Sequence, residues 1–229
     1  MRKAILYLKK SDPVLRRIME RVGPFRMVFG EPNFHSLAKS IIYQQLNGKA
    51  AFTIFERFTA RAGNPLTPER ILKLTPEEMR SLGLSKQKSS YLRDMAERTR
   101  RGELDFSGLR AMSDEEVIEH LTQVKGVGVW TAHMFLMFTL RRPDVLPTGD
   151  FGIRMAIFRH YLDSSSPKNG SRAKNGSRAK AAKPAVRPRK PKIKLPGPEE
   201  MEKIAGAWTP YRSIACWYLW RSLDTKTIG

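Results

Sequence analysis

Two capping boxes constrain this chain more than any other feature. Thr75-Pro76-Glu77-Glu78 and Ser113-Asp114-Glu115-Glu116 each put a hydroxyl where it can accept the third helical N–H, and a glutamate there that reaches back. The first also carries proline at the first helical position, where the missing N–H costs nothing. Thr67-Pro68-Glu69 and Ser11-Asp12-Pro13 are weaker versions of the same signal. Apolar residues follow at helical spacing, as in Ile71, Leu72 and Leu74, or Val117, Ile118 and Leu121. Gly83, Gly102 and Gly126 stand where helices should stop, so the helix opened by Ser113 is expected to run to Gly126. No stretch alternates as a half-buried strand would. The expected fold is all-α.

Such helices need a core, and 229 residues with 41% hydrophobic content can supply one. The charge points outward instead: 42 Lys and Arg against 22 Asp and Glu leave a formal +20, which suits a polyanionic partner. Ribosomal proteins and membrane-surface proteins are equally basic, and a solubilising tail can carry charge without a partner. About half of the excess lies in residues 164–198, which hold eleven Lys or Arg and no acid until Glu199. That segment contains a tandem repeat, Lys168-Asn169-Gly170-Ser171-Arg172-Ala173 followed by Lys174-Asn175-Gly176-Ser177-Arg178-Ala179, too short a period for a solenoid. It reads as a flexible basic linker, suited either to loose contact with DNA backbone or to no selected role.

Cys216 is the only cysteine, which excludes a disulfide framework and a cysteine-ligated zinc or iron–sulfur site within the chain. His35, His120, His133 and His160 show no metal-ligand spacing and read as packing or surface groups. The apolar run at residues 4–8 is too short for a signal peptide or membrane span. A soluble, membrane-free, cytoplasmic protein is expected, associated with the nucleoid if bacterial.

The chemistry-bearing stretch is Leu121-Thr122-Gln123-Val124-Lys125-Gly126-Val127-Gly128-Val129-Trp130-Thr131-Ala132. Two glycines two apart permit a tight hairpin whose exposed N–H groups, at the start of a new helix near Val129, can take a phosphate oxygen. A plain helix–helix turn would look the same. About twenty residues on, Leu146-Pro147-Thr148-Gly149-Asp150-Phe151 sets a carboxylate at the start of an apolar helix. Alone, Asp150 is most simply a helix cap.

Together with Tyr43-Gln44-Gln45-Leu46-Asn47-Gly48-Lys49-Ala50-Ala51, these motifs resemble the helix-hairpin-helix (HhH-GPD) DNA glycosylase superfamily. The nearest branch is the AlkA-type DNA-3-methyladenine glycosylase II, with its fungal alkylbase relatives. The resemblance covers residues 32–161 and 208–223. It implies two helical lobes around an active-site cleft, one of residues 34–138 ending in the hairpin, the other of residues 1–33 and 139–229 carrying Asp150 at the cleft mouth. The linker is a departure, and the extra N-terminal β domain that the AlkA-type enzymes of enterobacteria carry is not expected here.

The resemblance also implies roles. Asp150 would be the catalytic carboxylate, stabilising the oxocarbenium-like sugar and orienting water. Trp130 and Trp220 would line the base pocket, with His133 at its edge, and stack a cationic alkylated base. Gln45, Leu46 and Asn47 would fill the gap left by the flipped nucleotide, although Asn47 can equally cap the next helix. Lys125, Gly126, Val127 and Gly128 would contact DNA backbone, and Arg154 a phosphate or a carboxylate. Bifunctional members place a lysine where Trp130 stands, so no abasic-site lyase activity is expected. No cofactor is needed for the chemistry; the carbonyls of Thr122, Val124 and Val127 would hold a structural Na⁺ or K⁺. The expected partner is double-stranded DNA containing damaged bases, met by a monomeric enzyme. A glycosylase for uracil or mispaired bases, or a non-catalytic DNA-binding module, would share most of these features.

Overall fold

A computed structural model describes residues 1–46, 48–163 and 194–224. Among them the chain is helical, with no strand. Helices α1 (Arg2–Ser11) and α2 (Pro13–Val22) precede α3 (Phe34–Tyr43), α4 (Gly48–Ala62), α5 (Pro68–Leu72), α6 (Pro76–Ser81) and α7 (Lys86–Arg100). Then come α8 (Asp114–Thr122), α9 (Val129–Phe138) and α10 (Phe151–Ile157), which continues into a π-helical turn (Phe158–Leu162). α11 (Pro198–Ala205) and α12 (Arg212–Asp224) follow the basic segment, whose residues 164–193 lie outside the described part, with Asn47.

The starts are where local chemistry puts them. Both capping boxes form: Glu78 N donates to Thr75 Oγ1 at 3.1 Å and Thr75 N to Glu78 Oε2 at 2.8 Å, with Ser113 and Glu116 doing the same at 3.2 and 2.7 Å. Such a cap contributes about 1 kcal/mol. One stop differs from expectation. α8 ends at Thr122, not at Gly126, because Val124 and Val127 fold into tight turns that return N–H groups to Leu121 and Val124. Gly126 therefore belongs to the hairpin.

Packing divides the helices into two groups. α3 to α9 pack together, with α7 against α3, α5 and α6, and α8 against α9. α1 and α2 pack instead with the C-terminal helices, where α12 is covered by both α2 and α10. In α12 every residue from Ser213 to Leu219 is buried, as for a helix at the centre of a core.

A buried carboxylate joins the N-terminal helices to this second group. Asp12 caps α2 with one oxygen, accepting from Val14 N and Leu15 N at 2.8 and 2.9 Å. Its other oxygen accepts from Tyr161 Oη and Trp208 Nε1, both at 2.7 Å. Four donors offset the cost of burying one charge. Burial and neighbouring Asp12 raise the Tyr161 hydroxyl far above its ordinary pKa.

The segment between α9 and α10 is anchored on both sides. Arg142 reaches the α3–α9 group through the Met112 carbonyl at 2.5 Å and Asp114 at 3.3 Å. Asp144 takes a bidentate pair from Arg212 at the start of α12, at 2.8 and 2.9 Å. Ser213 Oγ donates to the Arg142 carbonyl at 2.7 Å and accepts from Val145 N at 3.0 Å. This loop delivers Asp150.

Candidate active site

Asp150 is the N-cap of α10, and Ile153 N donates to its Oδ1 at 2.8 Å. Two indoles complete its surroundings. Trp220 Nε1 donates to Oδ1 at 2.8 Å from α12, and Trp130 Nε1 donates to Oδ2 at 2.7 Å from the start of α9. The carboxylate is thus both a cap and the meeting point of three helices. It is 8% exposed, whereas Trp130 is 44% exposed. Asp150 is recessed beneath Trp130 instead of standing at the cleft mouth, because its cap bond and the Trp220 bond draw it inward.

The neighbouring surface is apolar. Trp220 stacks on Phe138, ring centroids 5.8 Å apart at 27°. Phe138 and Met134 lie eight and four residues beyond Trp130 on α9, so the three share one face. Phe138 and Met134 also line a groove of about 600 Å³ with Phe29, His35, Lys39 and Tyr43. This concavity is large enough for a planar heterocycle; Asp150, Trp130 and Trp220 do not line it, and it is linked to the carboxylate through Phe138, whose ring stacks on Trp220. Phe151, 67% exposed, stands immediately after Asp150.

The hairpin lies one helical turn from Trp130. Gly126 has φ 77°, and a Cβ there would stand 2.1 Å from the Tyr91 ring, so both backbone and packing demand glycine. Gly128 differs. Its φ is −97° and a Cβ would meet nothing within 4 Å. Neither its backbone nor its protein neighbours require glycine, which leaves the bare N-cap of α9 open to a ligand.

A family model described as "HhH-GPD superfamily base excision DNA repair protein" matches residues 38–180, more than half of the chain. The chain belongs to the HhH-GPD superfamily. Two curated relatives are 34% identical: DNA-3-methyladenine glycosylase 1 of Schizosaccharomyces pombe, over 96% of this chain and 86% of that protein, and DNA-3-methyladenine glycosylase of Saccharomyces cerevisiae, over 96% and 79%. The structure of the S. pombe 3-methyladenine DNA glycosylase in complex with abasic DNA superposes with a TM-score of 0.76 at 32% identity, covering 98% of each chain.

Within this HhH-GPD chain the expected site residues fall unevenly. Asp150, Trp130 and Trp220 converge. Trp217, which was not among them, is core, with its ring 4.7 Å from that of Phe25. His133 is half-buried, which lowers its pKa against the opposing pull of Asp114, the carboxylate that pairs with Arg142. Arg154 Nε donates to the Pro196 carbonyl at 3.0 Å and fastens the chain just ahead of α11. Lys125 lies exposed at the hairpin, its N bonded to Asp94 Oδ2 at 2.9 Å and its ammonium 3.7 Å from Oδ1. Gln45 and Leu46 are exposed on the loop after α3, where Gln45 adopts the left-handed conformation at φ 55°. Asn47 lies outside the described residues.

Two features escaped sequence reasoning: Gln44 reaches the hairpin, and Phe151, next to Asp150 in the chain, stands exposed. Among the described residues no cluster of three His, Cys, Asp or Glu could hold a metal ion. Nor is any described helix long and apolar enough to cross a membrane.

Proposed function

We propose that this chain is a monofunctional DNA glycosylase that hydrolyses the N-glycosidic bond of alkylated bases, of the 3-methyladenine and 7-methylguanine class, in double-stranded DNA. The carrying observation is Asp150, a buried carboxylate that accepts from two indoles, one of them on the exposed Trp130. The activities named for the two relatives support the same reading.

The damaged nucleotide leaves the stack and its base enters the groove along the Trp130, Met134 and Phe138 face. As the bond to C1′ lengthens, positive charge grows on the deoxyribose. The Asp150 carboxylate, already oriented by Ile153 N, Trp220 and Trp130, stabilises that charge without reorganising. The alkylated base takes the bonding electron pair and leaves neutral; water then adds its hydroxyl to C1′ and gives up its proton to the Asp150 carboxylate or to solvent, leaving an abasic site. A base made cationic by alkylation also gains about 1–2 kcal/mol from an indole face when desolvated, which favours it over normal purines.

Lyase chemistry needs a free amine at the sugar, and Trp130 stands where bifunctional members of the superfamily carry one. Lys125 is turned to Asp94 and Lys88 to backbone carbonyls. A Na⁺ or K⁺ ion would be held by the carbonyl of Thr122 at the end of α8 and by those of Val124 and Val127 in the hairpin beyond it, the Val124 oxygen also accepting from Val127 N at 3.0 Å. It would neutralise a phosphate contact there. The protein is read as acting as a monomer.

Duplexes carrying 3-methyladenine, 7-methylguanine or uracil test this reading, with the free base detected by mass spectrometry. Methylated purines should be released and the strand should stay intact until alkali is added. Release of uracil alone, or of no base, refutes the substrate assignment. Borohydride trapping of a protein–DNA adduct refutes the monofunctional one.

A further inference from the structure

The loop after α3 and the hairpin are separated by about eighty residues in sequence, yet one side chain bridges them. Gln44 Nε2 donates to the Gly126 carbonyl at 2.9 Å and to Thr131 Oγ1 at 3.2 Å. Gly126 lies in the hairpin turn, and Thr131 is the buried neighbour of Trp130. The same loop is held from behind. Lys88 Nζ donates to the Ile42 and Gln44 carbonyls, at 2.7 and 2.6 Å, in the last turn of α3 and just past it.

Helix α7 supports both ends of this bridge. Lys88, Tyr91 and Asp94 are spaced three apart and share a face. Lys88 holds the loop, the Tyr91 ring lies under Gly126, and Asp94 accepts from Lys125 N. Burial lowers the pKa of the Lys88 amine, as befits a group sunk between elements. Loop and hairpin are therefore two prongs on one backing helix, cross-linked at their tips by an amide. Between them, Gln45 is held at φ 55° and Leu46 projects into solvent, a backbone form that costs about 1–2 kcal/mol without outside support.

We infer that Gln44 and Lys88 are positioning residues that lock the gap-filling loop to the phosphate-gripping hairpin. Capture of the backbone at the hairpin then fixes how deeply Gln45 and Leu46 enter the duplex. The inference rests on the glycosylase reading above, but its geometry concerns base eversion and leaves the bond cleavage to Asp150. Neither residue is bonded to Asp150 or lines the aromatic groove.

The test compares wild type with Gln44→Leu, which keeps bulk but removes both donor bonds, and with Thr131→Val, which removes one acceptor. Each is assayed in single turnover at saturating enzyme on 7-methylguanine paired in a duplex and on the same lesion in an unpaired loop, where the base is already out of the stack. Two net hydrogen bonds correspond to about a thirtyfold loss on the paired substrate for Gln44→Leu, with a smaller loss for Thr131→Val and rates on the unpaired lesion within about twofold. Equal losses on both substrates would show a merely structural role, and unchanged paired rates a dispensable bridge; either overturns the inference. A 2-aminopurine base placed beside an abasic site reports loop insertion without any excision. Its fluorescence response should weaken in Gln44→Leu while hairpin affinity for the duplex stays within about threefold. If wild type excises neither lesion, the glycosylase reading fails and this signal alone decides the inference: a weakened response supports it and an unaltered one overturns it.

Discussion

Gly152 is the second residue of α10, and a methyl group there would intrude on the site from inside the helix. A Cβ at this position would stand 2.9 Å from Trp220 Cδ1 and 3.1 Å from Asp150 Oδ1. Ordinary carbon contacts need about 3.5 Å or more, so the indole must retreat by roughly 0.6 Å or the carboxylate must turn. Either movement strains the 2.8 Å bond from Trp220 to Asp150. Losing a hydrogen bond to a charged acceptor costs about 1.5–3 kcal/mol, offset by up to about 1 kcal/mol from the better helix propensity of alanine. Gly152→Ala should therefore lower stability by only about 1 kcal/mol, a fall in Tm of roughly 2–4 °C. Activity should suffer more, because displacement of a reacting group by about 1 Å can cost a hundredfold. Single-turnover release of 7-methylguanine, measured beside thermal melts of the same preparation, separates the two effects. A rate within twofold of wild type would refute the claim that the Trp220 bond sets the carboxylate.

Other expectations follow from the same geometry. Gly126→Ala combines a left-handed φ with a clash against Tyr91 and should cost about 3 kcal/mol; a denaturant midpoint close to wild type would mean the hairpin repacks freely. His160 is held down to about 4, mainly by burial and further by Arg21 and Arg159. Below pH 6.5 the unfolded chain takes up a proton that the folded chain refuses until about pH 4, so stability falls as pH drops through that window. His160→Gln should flatten this part of a stability–pH curve, whereas parallel curves would contradict it. Neutralising the Lys and Arg residues between 164 and 193 should reduce the salt dependence of DNA affinity by about 0.9 in log–log slope for each phosphate that the segment no longer neutralises, sparing excision at saturating enzyme. An unchanged slope would leave that charge without a role on DNA.

Much of the helical frame was legible because caps are local. The boxes at Thr75 and Ser113 and the cap at Asp12 need only residues three or four apart, and each formed as read. The end of α8 was not legible, since a glycine marks a left-handed position whether it stops a helix or shapes the turn beyond it. Asp150 was singled out through the family resemblance that the motif after the hairpin helps to carry; by itself it read as a helix cap. Its burial was not foreseen, because the two indoles that cover it come from 20 positions earlier and 70 later. The same holds for Gln44 and Lys88, whose partners lie on other elements and leave no periodic trace. The family resemblance implied an aromatic pocket but gave no hint that Trp130 and Trp220 would grip the carboxylate through their N–H groups.

The most direct measurement is single-turnover excision of 7-methylguanine by Asp150→Asn, alongside its affinity for duplex DNA containing an abasic site. Removing the one charge that faces the developing cation should slow release by about a thousandfold, with abasic-DNA affinity within a few-fold of wild type. A folded variant that still releases the base at a rate near wild type would remove Asp150 from the chemistry.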